Sequence, residues 1–142
     1  MTTRSLPAAA AATTAAALLA LTGCSSGTAE YGTGTHAIKA APGEEFRISV
    51  PYDPGQGEWW YRVDPAPDTA VLRAGAEDGD DGAKTFAFEA VGTGRTQVRL
   101  LHCPARTCVG AGPSASPSPG VTAQHTATDS VPRYYTYTVT VR

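Results

Sequence analysis

The sequence predicts an all-β domain built as a sandwich of two sheets, and three observations carry that expectation. Thr, Val, Tyr and Gly are abundant, with 15 glycines and 11 prolines but one methionine, so the composition suits short strands joined by turns. Runs of four to eight residues alternate apolar and polar side chains at period two, the spacing of a half-buried strand. No segment beyond the first two dozen residues shows a convincing 3.6-residue period. The chain has 142 residues, room for one domain of ordinary size.

The elements follow in order. A weak first strand spans Ala37 to Ala40. Phe46, Ile48 and Val50 alternate with Arg47 and Ser49, and Pro51 closes that strand. Glu58 to Val63 is aromatic-rich, and Ala70 to Arg73 is a brief apolar piece after the breaker Asp64-Pro65-Ala66-Pro67-Asp68. Phe86, Phe88 and Ala90 alternate next, Gly92-Thr93-Gly94 turns, and Thr96, Val98 and Leu100 alternate again. Tyr135, Tyr137, Val139 and Val141 interleave with Thr136, Thr138 and Thr140 in the clearest strand of all. Seven short antiparallel strands fit a two-sheet sandwich of immunoglobulin type, with a small closed barrel as the alternative. Val109 to Pro132, rich in Pro and Ser, reads as a mobile excursion before the last strand, either functional or filler.

The amino-terminal residues read as an export signal. Arg4 supplies a charged start, and Ala8 to Leu21 is a run of Ala, Leu and Thr too short to span a bilayer as a mature helix. Leu21-Thr22-Gly23-Cys24 resembles the bacterial lipobox, which implies cleavage after residue 23 and lipidation of Cys24. Cysteine parity agrees: of three cysteines in an exported chain, lipidation takes one and leaves Cys103 and Cys108 to pair. Residues 24–35 then form a flexible tether and residues 36–142 the domain. Two or three acyl chains would hold the protein on the outer face of a bacterial cell membrane.

Chemistry-bearing constellations are sparse. With a formal charge of -2 and Lys and Arg evenly scattered, no basic stripe offers a footing for nucleic acid. His36, His102 and His125 lack the spacing of metal ligands on one element, and no cofactor is implied. His102 beside Cys103 would lie on opposite faces of a strand, which sets a base and nucleophile apart. Glu77-Asp78-Gly79-Asp80-Asp81-Gly82 departs from a calcium loop at two positions and has no flanking helices, so it reads as a solvated hairpin. The expectation is a non-enzymatic protein, monomeric, that acts through its loops.

Around three of those loops the order of features resembles the chagasin-type inhibitors of papain-like cysteine peptidases. Asp53-Pro54-Gly55-Gln56-Gly57-Glu58-Trp59-Trp60 occupies the place of the family's first loop, with Pro54, Gly57 and Trp60 matching and Asp53, Gly55, Gln56 and Glu58 departing. Gly79-Asp80-Asp81-Gly82-Ala83-Lys84-Thr85-Phe86 is similar to the second, a Gly-rich turn before a Phe strand. The stretch from Phe88 to Leu100 is similar to the family's framework. Cys103-Pro104-Ala105 stands where the family has Arg-Pro-Trp, keeping the proline. The resemblance implies an immunoglobulin-like sandwich that wedges three neighbouring loops into a peptidase's catalytic cleft. The alternative is a cell-envelope module that holds a glycan or another protein through the same loop end. One conflict stays open: strict alternation puts Trp59 in the core, whereas the resemblance puts Trp60 there.

Overall fold

The computed structural model describes residues 27–80, 82–104, 107–112, 122–123 and 131–142. The signal segment, Cys24, Asp81, Ala105 and most of the Pro/Ser-rich stretch lie outside those residues. Ten strands are described: β1 (Ala29–Tyr31), β2 (Ala37–Ala40), β3 (Glu45–Tyr52), β4 (Trp59–Arg62), β5 (Leu72–Asp80), β6 (Gly82–Ala90), β7 (Gly94–Cys103), β8 (Cys108–Val109), β9 (Thr122–Ala123) and β10 (Arg133–Val141). Two four-stranded sheets, ordered β1-β3-β6-β5 and β2-β10-β7-β4, face each other as a sandwich, and β8 pairs with β9 apart from them. The fold is all-β, as the alternation predicts.

Period-two patterning sets the core. Phe46, Ile48, Val50, Phe86, Phe88 and Ala90 come from the first sheet, and Ile38, Trp60, Val98, Leu100, Tyr137, Val139 and Val141 from the second. β3, β6 and β10 hide alternate residues, so the two inner faces interdigitate. Phe46 and Phe88 stack with centroids 5.5 Å apart, locking the centre of the first sheet.

Three local features differ from the sequence expectations. Ala29–Tyr31, inside the segment read as tether, runs parallel to β3, with Tyr31 edge-on to Phe46 at 5.9 Å. A three-residue strand in a Ser/Gly/Thr setting has no periodicity to announce it. Second, β5 continues through the acidic run to Asp80, where sequence suggested a strand ending at Arg73 and a loop beyond. A register shift between Ala74 and Glu77 reverses the inward parity, so Leu72 faces in before the bulge and Glu77 after it. Third, the stretch read as an excursion from Val109 begins as strand β8, and Ala111 packs against the outer face of the second sheet.

The connection between β6 and β7 is tight enough to exclude a side chain at Gly92. A Cβ on Gly92 would stand 2.3 Å from the Ala70 carbonyl oxygen, closer than real Cβ atoms come. That contact seats the segment before β5 under the β6–β7 turn, where Val91 N donates to Val71 O at 2.9 Å.

Candidate functional site

The ladder registers bring the three loops to one pole. Tyr52, the end of β3, pairs with Gly82 at the β5–β6 turn, and Trp59, the start of β4, pairs with Cys103 at the end of β7. The connections 53–58, 80–82 and 103–108 therefore crown the same end of the sandwich. Of the residues proposed from sequence, Asp53, Pro54, Gly55, Gln56, Gly57, Glu58, Trp59, Trp60, Gly79, Asp80, Gly82 and Pro104 are all described here. Gly79 and Asp80 belong to β5 and Gly82 to β6, so the second loop is a tight hairpin turn and not an open loop.

The first loop holds its own shape. Asp53 accepts from Gln56 N on Oδ1 at 3.1 Å, capping a short 3-10 turn over Pro54–Gln56. Gly57, in the left-handed region at φ 74, closes that turn by donating to Pro54 O at 3.1 Å. Glu58 then reaches back, its Oε2 accepting from Asp53 N at 3.0 Å. Its other oxygen, Oε1, lies 2.5 Å from His102 Nε2. His102 stacks on Trp60 at 4.2 Å between centroids, and Trp60 meets Tyr135 at 5.0 Å. Glu58 is thus engaged inside the domain and is not a charge directed outward, contrary to what its place in the loop suggested. Its tie to His102, 44 residues away, is invisible until the register opposes Trp60 to His102.

The same register decides between the tryptophans. Trp60 is 2% exposed and belongs to the core between the sheets. Trp59 points to the outer face of the second sheet, against Tyr61, Leu101 and Cys103. Strict alternation misassigned them because that outer face is itself covered by the chain after Cys103. Sequence reasoning had supposed one covered face where there are two.

The hairpin turn is braced by an ion-pair network between the sheets. Lys84 Nζ donates to Trp60 O at 2.9 Å and stands 3.2 Å from Glu77 Oε2, with the Phe86 ring 5.1 Å away. Arg62 Nε completes the set, 2.7 Å from Glu77 Oε1. Glu77 and Lys84 come from adjacent strands of the first sheet and Arg62 from the edge of the second, so the network clips β4 to β5 across the sandwich. Gly79 lets Tyr52 lie close, since a Cβ there would meet Tyr52 Cε1 at 3.1 Å. Tyr52 in turn packs edge-on to Trp59 at 6.1 Å.

The third loop is stiffened by a disulfide. Cys103 and Cys108 are bonded, as cysteine parity predicts. Thr107, 1% exposed, donates both its N–H and its hydroxyl to Pro104 O, at 3.0 and 2.7 Å. Further on, the Tyr61 hydroxyl accepts from Gly112 N at 2.8 Å and donates to Gly112 O at 3.2 Å. Burial raises the Tyr61 phenol above its ordinary value; the Gly112 hydrogen bond opposes part of that shift and the nearby Tyr52 adds to it. The chain between Cys108 and Gly112 is thereby strapped over Leu101 and Cys103.

Near the pole Arg62, Lys84 and His102 turn toward acids within the domain, while Arg133, opposite His102 at the start of β10, is exposed, as are Asp53, Asp78, Asp80 and the neutral Gln56. Among the described residues no group of three His, Cys, Asp or Glu side chains could hold a metal ion. A hollow of about 210 Å³ lies on the outer face of the first sheet, lined by Glu45, Arg47, Arg73 and Glu89, away from the loops. What the pole offers is a surface built from three internally braced connections.

Comparison with known proteins bears on this geometry. No family model and no curated sequence matches the chain. Among solved structures, the cysteine protease inhibitor EhICP2 from Entamoeba histolytica superposes with a TM-score of 0.54 at 12% identity, covering 81% of this chain and 95% of its own. The solution structure of amebosin gives a TM-score of 0.53 at 16% identity, covering 82% of this chain and 99% of its own. Likeness at such identities speaks to architecture, and the architecture is the chagasin-type, immunoglobulin-like β-sandwich that the order of motifs resembles.

Proposed function

We propose that this protein is an inhibitor of papain-like cysteine peptidases, acting by insertion of its three-loop pole into the catalytic cleft. The observation that carries the reading is the convergence of the 53–58, 80–82 and 103–108 connections at one end of a fold shared with a solved cysteine protease inhibitor. Internal bracing supports it, because loops already held by the Asp53 cap, the Lys84 network and the Cys103–Cys108 bond lose little freedom on binding. Wedge inhibition requires no bond-making by the inhibitor, in keeping with a non-enzymatic protein. We further read Cys24 as the lipidated first residue of the mature chain, which would place the domain on the outer face of a bacterial cell membrane.

A glycan-holding module would need an open aromatic face at the same pole. Trp60 is 2% exposed, and Trp59 is covered in part by Tyr52 and the disulfide cluster, which favours the inhibitor. The test is titration of papain with the purified chain. Submicromolar inhibition is expected, weakened at least tenfold by Gln56→Lys at the exposed tip, with the thermal midpoint unchanged. Full peptidase activity at high micromolar protein would refute the proposal; quenching of tryptophan fluorescence by cell-wall oligosaccharides would favour the glycan alternative.

A further inference from the structure

Lys39, Arg95 and Arg142 are far apart in sequence, yet the second sheet gathers them. Thr140 pairs with Lys39 on one side and with Arg95 on the other, so both cations share its outward face. Strands lie about 4.8 Å apart, which puts the two roughly 10 Å from each other. Arg142 follows two residues after Thr140 along the same face. Their side chains have no ion-pair partner among the described residues, and all three residues are exposed. The other outward residues of this region, Ala37, Gln97, Thr136 and Thr138, are neutral. Arg99 stands higher on the face, under the Tyr134 ring at 4.0 Å and donating to Asp64 O at 3.3 Å. Of the bordering acids, Glu44 has its carboxylate engaged by Ala41 N at 2.7 Å, Asp68, tied to Thr96 beside Arg95, accepts from Ala70 N at 2.9 Å, and Asp64 lies at the far edge. The outer face of the first sheet is balanced instead: Glu30 sits opposite Arg47, and Arg73 pairs with Glu89 at 2.9 Å. In a chain of net charge -2, this basic patch is a local inversion.

Its place in the fold indicates what it meets. Lys39 and Arg95 lie toward the pole opposite the three loops. Ala29 pairs with Phe46 near the start of β3, so the chain preceding β1 also leaves toward that pole. The Arg62–Glu77 contact puts β4 beside β5, which leaves β1 and β2 together at the other lateral edge. The chain therefore enters β1 at the corner that holds the cations. We propose that this face docks on a bilayer surface bearing anionic headgroups, setting the domain down beside its amino-terminal segment with the loop pole directed away from the membrane. The contact is independent of the peptidase reading. Each cation near such a surface raises partition about fivefold, so Lys39 and Arg95 together contribute on the order of 25-fold: too little to bind the membrane alone, enough to orient a chain already attached.

The experiment uses the full chain carrying Cys24→Ser, with and without Lys39→Gln plus Arg95→Gln, sedimented with vesicles of phosphatidylcholine alone or with about 30% phosphatidylglycerol. The leader is common to all variants and cancels in their ratio. Expected is a rise in partition with phosphatidylglycerol, abolished at about 0.5 M salt, and cut on the order of 25-fold by the double substitution. The charge-reversed pair Lys39→Glu plus Arg95→Glu should lose more, whereas Arg47→Glu on the opposite face should bind as the parent does. Equal midpoints in thermal unfolding keep the comparison to the surface. Partition indifferent to phosphatidylglycerol, an equal loss in Arg47→Glu, or binding to soluble polyphosphate without binding to anionic vesicles would each overturn the proposal.

Discussion

Replacing His102 with alanine removes two contacts at once, and the structure allows the cost to be worked out. The imidazole stacks on Trp60 at 4.2 Å and holds Glu58 Oε1 at 2.5 Å, with the two side chains 17% and 22% exposed. A ring stack of this kind is worth about 0.5–1.5 kcal/mol beyond area. A partly buried carboxylate left without its partner costs roughly 1–3 kcal/mol, toward the low end here because some water reaches it. His102→Ala should therefore destabilise by about 2 kcal/mol, which lowers the thermal midpoint of a domain this size by roughly 10 °C. The assay is thermal and urea unfolding of His102→Ala, Glu58→Gln and the double variant. Because Glu58 also receives Asp53 N at 3.0 Å, a coupling of about 1 kcal/mol is expected in the cycle, with faster amide exchange at Asp53 in the His102 variant. A midpoint within about 3 °C of the parent, or additive substitutions, would show that the loop does not depend on this brace.

Three further outcomes follow from the geometry. Gly92→Ala forces a methyl group to within 2.3 Å of the Ala70 carbonyl oxygen; the backbone must yield, and a loss of about 2 kcal/mol or more in urea unfolding is expected. Cys108→Ala opens a six-residue ring and should cost about 2 kcal/mol, while exchange protection at Gly112 falls as its strap on Tyr61 loosens. Burial pushes the Tyr137 phenol up to about 12, with Tyr135 adding to the shift; the native state thus keeps a proton that the unfolded chain gives up near pH 10. Stability should fall as pH rises from 10 to 12, by on the order of 3 kcal/mol at most. Tyr137→Phe should flatten that slope, and at neutral pH should cost little, since the hydroxyl is buried with no hydrogen-bond partner among the described residues.

The legible part of this protein is its inner surface. Phe46, Ile48 and Val50 face Phe86 and Phe88, and Tyr137, Val139 and Val141 face Val98 and Leu100, all as period two demands. Where alternation alone decided, strands fell in place. Sequence was silent wherever a second partner decided. Glu77 sits in an acidic run that reads as solvent-facing, yet a bulge turns it toward Arg62 and Lys84. Trp59 and Trp60 could not be sorted without knowing that the chain beyond Cys108 covers an outer face. Ala29–Tyr31 became a strand because Tyr31 finds the edge of Phe46, a contact with no local signature. The three loops were named correctly as neighbours, but which of their residues look outward depended on long-range partners such as His102.

The inward turn of Arg62, Lys84 and His102 near the loop pole bears on how such a surface is specified. Part-buried ion pairs often contribute little net stability, because removing two charges from water costs nearly what their attraction returns. The Arg62–Glu77–Lys84 network is therefore better understood as a device for position. It ties an edge strand of each sheet at a fixed separation and holds the hairpin tip at a fixed height above Trp60, to whose carbonyl Lys84 Nζ donates. Glu58–His102 does the same for the first loop and Cys103–Cys108 for the third. Three restraints, one per loop, fix three turns against one another, and two of them meet at Trp60. The exposed side chains of Gln56 and Asp80 at the tips bear none of that structural duty, and so can change while the platform beneath them keeps its shape.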